Sequence, residues 1–112
     1  MSMFQATFDE AIWHIVMSIP RGQVMSYGEV AKAAGYPRHA RMVSKAMSRS
    51  EQPLPWHRVV KANRHLAFPE NSSLYNTQKQ RLLEEGAAFL NGKVITDHVE
   101  EDLDALIWGP ES

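Results

Sequence analysis

The apolar residues near the start of the chain recur at the three- and four-residue spacing of an amphipathic helix. Between Ala6 and Ser18 they include Phe8, Ile12 and Val16, and Pro20 ends the pattern. We therefore predict a first helix over these residues, with its apolar face buried in the core.

Two further helices are predicted in the next thirty residues. Ser26 followed three residues later by Glu29 is a capping box, and Gly35 suits the residue just after a helix end. Pro37 suits the first turn of another helix, which we expect to continue to about Arg49. Two short helices joined by a glycine-containing turn predict a helix-turn-helix.

The second half of the chain combines short extended segments with one more helix. Val59 and Val60 make residues 57–61 favourable for a strand. A helix is predicted over 74–85, with Leu82 and Leu83 facing inward.

A β-hairpin is predicted near the end of this half. Asn91-Gly92 stands between the extended segments 87–90 and 93–96, which indicates a type I′ turn. The patterns together predict a small α+β fold with a helix-turn-helix and short β-hairpin elements.

Length and composition restrict the class of protein. With 112 residues and a mass of 12.7 kDa, we expect one domain over 1–112. No apolar run reaches the roughly 18 residues of a membrane span, and Asp9 and Glu10 stand where a signal peptide would be basic. We therefore expect a cytoplasmic protein, and the lack of cysteine excludes disulfides, thiolate metal sites and thiol nucleophiles.

Charge is divided unevenly along the chain. Residues 1–65 hold nine basic and four acidic side chains, whereas residues 66–112 hold three basic and nine acidic ones. Such asymmetry predicts one surface that faces a polyanion. An acidic C-terminal tail over 97–112 is either a partner site or a solubilising end.

The predicted second helix of the helix-turn-helix carries a basic stripe. Its members are spaced by three, four and four residues and therefore share a helix face: Arg38, Arg41, Lys45 and Arg49. A stripe of this kind suits phosphate contact, although a solvated face is the common alternative. The five histidines lack metal-ligand spacing, so no metal site and no cofactor is predicted.

The run Pro55-Trp56-His57-Arg58-Val59 resembles the Pro-Cys-His-Arg-Val active-site motif of O6-alkylguanine-DNA alkyltransferases. Trp56 stands where the alkyl-accepting cysteine would be, which is the mark of the alkyltransferase-like proteins, a branch without enzymatic activity. Segments 24–31, 37–47 and 82–86 also look like family segments in the right order. The resemblance covers about residues 5–90 and implies the winged-helix-like DNA-binding domain of that family.

The resemblance implies a role for each matching residue. Tyr27 would push on the phosphate beside the target nucleotide, and Arg41 would enter the duplex as the arginine finger. Trp56 would line the pocket for the flipped guanine, together with Tyr27 and His57. His57 and Glu85 match the base and its orienting acid, here with no thiol to deprotonate.

Other positions follow less directly from the resemblance. Pro55, Arg58 and Val59 are expected to act with Glu85 as a scaffold for the motif. The family's Tyr-Ser-Gly-Gly pocket loop is replaced by residues 70–74, where Ser72 and Ser73 are the expected pocket residues.

The resemblance implies a sensor of DNA damage. It would bind double-stranded DNA through the minor groove, flip O6-alkylguanine without transferring the alkyl group, and flag the lesion for nucleotide excision repair proteins. We expect a monomer. Two alternatives remain: a sequence-specific helix-turn-helix regulator, or an enzyme acting on the alkylated base with a non-cysteine nucleophile or activated water.

Overall fold

The computed structural model describes residues 3–95, and the acidic tail lies outside them. The described residues form four α-helices and four short strands. In order they are α1 (Met3–Ser18), β1 (Met25–Ser26), α2 (Tyr27–Ala33), α3 (Val43–Ser48), β2 (Val59–Val60), α4 (Ser73–Glu84), β3 (Ala88–Leu90) and β4 (Lys93–Ile95), with 3₁₀ turns at Ala40–Met42 and Trp56–Arg58.

The first helix is confirmed and forms one wall of the main core. Phe8, Ile12 and Val16 are fully buried on its inner face. They pack against residues from α2, α3 and β2, including Val30, Val43 and Val59. Burying such side chains stabilises a fold by about 1.5–3 kcal/mol each.

The capping box of α2 is confirmed in both directions. The Ser26 hydroxyl accepts a hydrogen bond from the Glu29 backbone N–H at 3.1 Å, and the Glu29 carboxylate accepts one from the Ser26 backbone N–H at 2.8 Å. Gly35 then ends the element with a φ of +93°, a conformation that glycine adopts without strain.

The predicted start of the next helix at Pro37 is wrong. A turn closed by the His39 N–H and the Tyr36 carbonyl comes first, followed by the 3₁₀ turn, and α3 begins only at Val43. The Tyr36 and His39 rings pack against Phe8, with ring centroids 5.1 and 5.8 Å away. This tertiary packing holds the segment in a turn although its residues permit a helix.

A short parallel pair joins the two halves of the domain. Met25 pairs with Val59 and Ser26 with Val60. The predicted strand from His57 is wrong in its first part, because Trp56–Arg58 form a 3₁₀ turn and the strand holds only two residues. This pairing sets the first turn of α2 close to the Trp56 motif.

The last helix and the hairpin complete a second, smaller core. Leu82 is fully buried there, but Leu83 is 44% exposed, so its predicted inward position is wrong. One helix face cannot bury two adjacent residues equally. The hairpin is confirmed, with positive φ values of 54° at Asn91 and 79° at Gly92. Over residues 3–95, no helix has the length and apolarity needed to cross a membrane.

Candidate nucleic-acid interface

A cavity of about 230 Å³ opens beside the helix-turn-helix. Its wall is contributed by α2, α3, the loops on either side of β2 and the start of α4. Most of the lining is apolar, with three uncharged polar side chains from α3 and the loop after it: the residues are Tyr27, Ser44, Met47, Ser48, Gln52, Leu54, Trp56, Phe68 and Leu74. Concave apolar surface with a few polar groups is typical of sites for flat organic ligands.

Trp56 is half-buried in the wall of this cavity. Its ring meets Phe68 edge-on at a centroid distance of 5.7 Å and His57 edge-on at 6.3 Å. The guanidinium carbon of Arg81 lies 5.3 Å from the indole centroid. The indole is thus fixed by ring and cation contacts and is available to a ligand in the cavity.

Three residues predicted for this pocket do not line it. The Ser72 hydroxyl caps α4 by accepting a hydrogen bond from the Tyr75 N–H at 3.2 Å, and Ser73 is the first residue of that helix. His57 is buried and does not line the cavity. Helix capping turns the Ser72 side chain toward the α4 backbone. Leu74 and Phe68 line the cavity instead.

Tyr27 and Arg41 meet at a second depression next to the cavity. This depression has a volume of about 420 Å³ and is lined by Tyr27, Ala40, Arg41 and Ser44. Tyr27 and Ser44 line both spaces, so the depression that the exposed Arg41 lines adjoins the Trp56 cavity. Burial raises the pKa of the Tyr27 hydroxyl, which therefore stays a neutral hydrogen-bonding group at physiological pH.

The predicted basic stripe does not form one helix face, because Arg38 and Arg41 lie in the turns before α3. Arg38, Arg41 and Lys45 are exposed, but Arg49 lies at the end of α3 and turns toward α1. Its guanidinium donates two hydrogen bonds to the Asp9 carboxylate, at 2.7 and 2.8 Å. The predicted phosphate-contact role of Arg49 is corrected, because its charge is neutralised by a buried partner.

A network of hydrogen bonds centred on Glu85 lies beneath the motif. Its carboxylate pairs with His57 Nε2 at 2.8 Å and accepts two hydrogen bonds from Arg58, at 3.0 and 2.7 Å. It also accepts one from the Gly22 backbone N–H at 3.1 Å. The remaining Arg58 nitrogen donates to the Ile19 carbonyl at 2.9 Å.

The network stabilises the ionised form of Glu85. Burial alone would raise the pKa of this carboxyl, but the hydrogen bonds from Arg58, His57 and the Gly22 N–H outweigh burial and lower the pKa to about 2. Glu85 is therefore an anion across the physiological pH range. It fixes His57 by one nitrogen, while the other, Nδ1, is buried and has no partner in the described part of the chain.

Gln78 is a site residue that the sequence prediction missed. It is fully buried on α4, where its amide nitrogen donates to the carbonyls of His57 and Val59 at 3.2 and 2.9 Å. Its amide oxygen accepts from the Ala67 N–H at 3.2 Å. The available signal was its position four residues before Leu82, on the same helix face.

The described residues contain no group of three or more His, Cys, Asp or Glu side chains arranged to hold a metal ion. The chemistry that this site offers is stacking, apolar packing and hydrogen bonding, next to the exposed basic side chains of Arg41 and Lys45.

The family whose sequence model matches this chain is described as the DNA-binding domain of 6-O-methylguanine DNA methyltransferase, and the match covers residues 7–87. The DNA base-flipping protein of Escherichia coli K12 is 45% identical over 82 residues, which are 71% of this chain and 62% of that protein. The chain therefore spans less than two thirds of that relative. Alkyltransferase-like protein 1 of Schizosaccharomyces pombe is 38% identical over 81 residues, covering 70% of this chain and 75% of that protein.

Solved structures show the same fold. A crystal structure of S. pombe Atl1 in complex with damaged DNA containing O6-carboxymethylguanine is 36% identical, with a TM-score of 0.67 over 80% of this chain and 83% of that one. A Mycobacterium tuberculosis OGT in complex with DNA is 30% identical, with a TM-score of 0.60 over 76% of this chain and 50% of that one.

Proposed function

The chain belongs to the family of the 6-O-methylguanine DNA methyltransferase DNA-binding domain, and from this membership we propose that it is a non-enzymatic sensor of O6-alkylguanine in duplex DNA. It binds the duplex through the helix-turn-helix and rotates the damaged base into the cavity lined by Trp56. The alkyl group stays on the base.

The observation that carries this proposal is the position of Trp56. It stands at the acceptor-cysteine position of the family motif and, in the structure, forms part of the wall of an apolar cavity beside α3, the helix that carries the exposed Lys45. An aromatic side chain stacks on a nucleobase with a gain of about 1–3 kcal/mol. The residue that would perform the reaction is thus replaced by one that favours retention of the base.

Base rotation is supported by the placement of Tyr27 and Arg41. Unstacking and unpairing a base costs a few kcal/mol. Arg41 lies at the depression that adjoins the cavity, where a planar guanidinium can occupy the space that the base leaves. Tyr27 lines both spaces, so it is placed to contact the rotating nucleotide.

The structure does not favour the enzymatic alternative. The chain has no cysteine, and both Glu85 oxygens are engaged with Arg58, His57 and Gly22. His57 does not line the cavity, so its ring is not placed to activate a water molecule beside a bound base. The methionine thioether in the wall, Met47, cannot be activated by deprotonation.

Because nothing is transferred, the signal must be the persistent complex itself. The protein acts as a monomer, and its complex marks the lesion for nucleotide excision repair. A lesion that is bound and left chemically intact requires another system to remove it, which supports a role in recruiting repair.

A binding titration tests the proposal. The protein is titrated into duplexes that carry O6-methylguanine, a bulkier O6-alkylguanine or guanine at one position, with 2-aminopurine next to that position. We expect tighter binding to both lesions and a rise in 2-aminopurine fluorescence, because rotation unstacks the neighbouring base. Arg41→Ala should weaken binding and reduce the fluorescence change; equal affinity for lesion and guanine would refute the sensor function.

Two controls separate the alternatives. Duplex carrying a tritium-labelled O6-methyl group should keep its label through incubation with excess protein, whereas labelled protein or released methanol would indicate an enzyme. Competition with unrelated undamaged sequences should show little preference among them. A strong preference for one undamaged sequence would indicate a regulator.

A further inference from the structure

We propose that Arg81 is a positioning residue for Trp56 and that it contributes to the selectivity for alkylated over undamaged DNA. This inference rests on the proposed function, because it assigns Trp56 the role of stacking surface. Arg81 is exposed on α4 and belongs to residues 66–112, in which acidic side chains outnumber basic ones.

The Trp56 indole lacks a hydrogen-bond anchor. Within residues 3–95 its N–H has no protein acceptor, whereas the Trp13 N–H donates to the Ala46 carbonyl at 2.6 Å. The orientation of the Trp56 ring therefore depends on its neighbours. These are the edge contacts with Phe68 and His57 and the guanidinium of Arg81.

Arg81 approaches the indole from outside the cavity. It does not line the space bounded by Trp56, and it lines a separate surface depression with four other residues of α4: Asn76, Thr77, Gln80 and Glu84. A guanidinium 5.3 Å from the centroid is within the range of a cation–π contact. Arg81 thus supports the indole from behind and leaves the cavity side free for a ligand.

The Arg81 guanidinium has no competing partner in the described part of the chain. Glu84, the carboxylate on the next turn of α4, accepts from the Gln80 amide at 3.2 Å. The contact with Trp56 is therefore the interaction that fixes this side chain. A flat cation held over one indole face restricts tilting of the ring, which keeps the opposite face in the orientation needed for stacking.

Lys79 provides a matched control on the same helix. Its ammonium lies 5.5 Å from the Phe89 centroid, so it also makes a cation–π contact, but with a residue of the hairpin. Replacing either side chain with glutamine removes one positive charge from α4. Only the Arg81 change removes the support of Trp56.

The first test compares Arg81→Gln and Lys79→Gln in titrations with an O6-methylguanine duplex and its undamaged counterpart. We expect Arg81→Gln to lower the affinity ratio between the two duplexes by about two- to five-fold, from the strength of an exposed cation–π contact. Lys79→Gln should leave the ratio unchanged. Equal weakening on both duplexes by Arg81→Gln would overturn the proposal, because it would show a phosphate contact.

A second measurement tests the contact without DNA. Protein labelled with 5-fluorotryptophan gives a fluorine resonance for Trp56, assigned by Trp56→Phe. Arg81→Gln should shift or broaden this resonance, Arg81→Lys should shift it less, and Lys79→Gln should leave it in place. An unchanged resonance in Arg81→Gln would refute the positioning role. If the wild type showed no preference for the lesion, the proposed function would be refuted. The fluorine measurement would still show whether Arg81 positions the Trp56 ring.

Discussion

Replacing Glu85 with glutamine should destabilise the domain strongly at neutral pH. The Glu85 side chain is 7% exposed, and its pKa is lowered from 4.5 to about 2. A pKa difference of this size between the folded and unfolded states corresponds to about 3 kcal/mol in the free energy of unfolding. Glutamine cannot carry the charge, and Arg58 would lose its anionic partner, so we expect a loss of about 3 kcal/mol at pH 7.

The direction of the pH dependence follows from the sign of the shift. The pKa of Glu85 is lower in the folded state, so its contribution is complete above pH 4.5 and declines as the pH falls toward 2. In that interval the unfolded chain takes up the proton first. The stability difference between wild type and Glu85→Gln should therefore shrink between pH 4.5 and pH 2.

Urea unfolding followed by circular dichroism measures this difference at pH values from 7 to 3. Glu84→Gln is the control, because its carboxylate is exposed and bonds only the Gln80 amide; we expect a change within about 0.5 kcal/mol. A difference between wild type and Glu85→Gln that stays constant from pH 7 to pH 3 would refute the account of the network.

Three further substitutions test the interface and the fold. Lys45→Gln should reduce the slope of log affinity for DNA against log salt concentration by about one unit. Arg49→Gln should leave this slope unchanged. It should lower the free energy of unfolding by about 1–3 kcal/mol, because it leaves the buried Asp9 unpaired. Titrations at several salt concentrations and urea unfolding measure both effects. Ser26→Ala should cost about 1 kcal/mol in urea unfolding through loss of the capping box, whereas Ser18→Ala, on an exposed helix end, should cost less.

The elements that sequence predicted well are those with decisive local signals. The capping box at Ser26 pairs its free backbone N–H groups with side chains three residues away. The Asn91-Gly92 turn needs positive φ angles, which its own two residues adopt. Their formation does not depend on distant parts of the chain. The same holds for α1, whose apolar spacing continues over four turns.

The elements that sequence predicted poorly depend on long-range packing. The start of α3 is displaced by rings that pack on Phe8, about thirty residues earlier in the chain. The pair of Arg49 and Asp9 is separated by 40 positions, and no local pattern links the two residues. Two-residue strands such as β1 and β2 are too short to show periodicity.

The residues of the candidate site also divide into those with local sequence signals and those placed by long-range packing. The motif and the family resemblance indicated Trp56, Tyr27 and Glu85, because these stand in recognisable local contexts. Phe68 and Leu74 entered the cavity wall only through the fold, since the loop after β2 and the start of α4 must be placed in space before either can be assigned. Ser72 was misassigned because its hydroxyl caps α4, and Ser73 because it begins that helix and lies outside the cavity wall.

The pair of Glu85 and His57 has a structural role in a chain without a thiol. Glu85 joins the turn after α1 to the Trp56 motif, since it binds both Gly22 and Arg58, and Arg58 in turn binds Ile19. His57, oriented by the same carboxylate, meets the edge of the Trp56 ring. A change at Glu85 would therefore disturb the fold and the cavity wall even where no proton is transferred. The Glu85 carboxylate therefore holds the turn after α1, the motif and, through His57, the wall in which Trp56 lies.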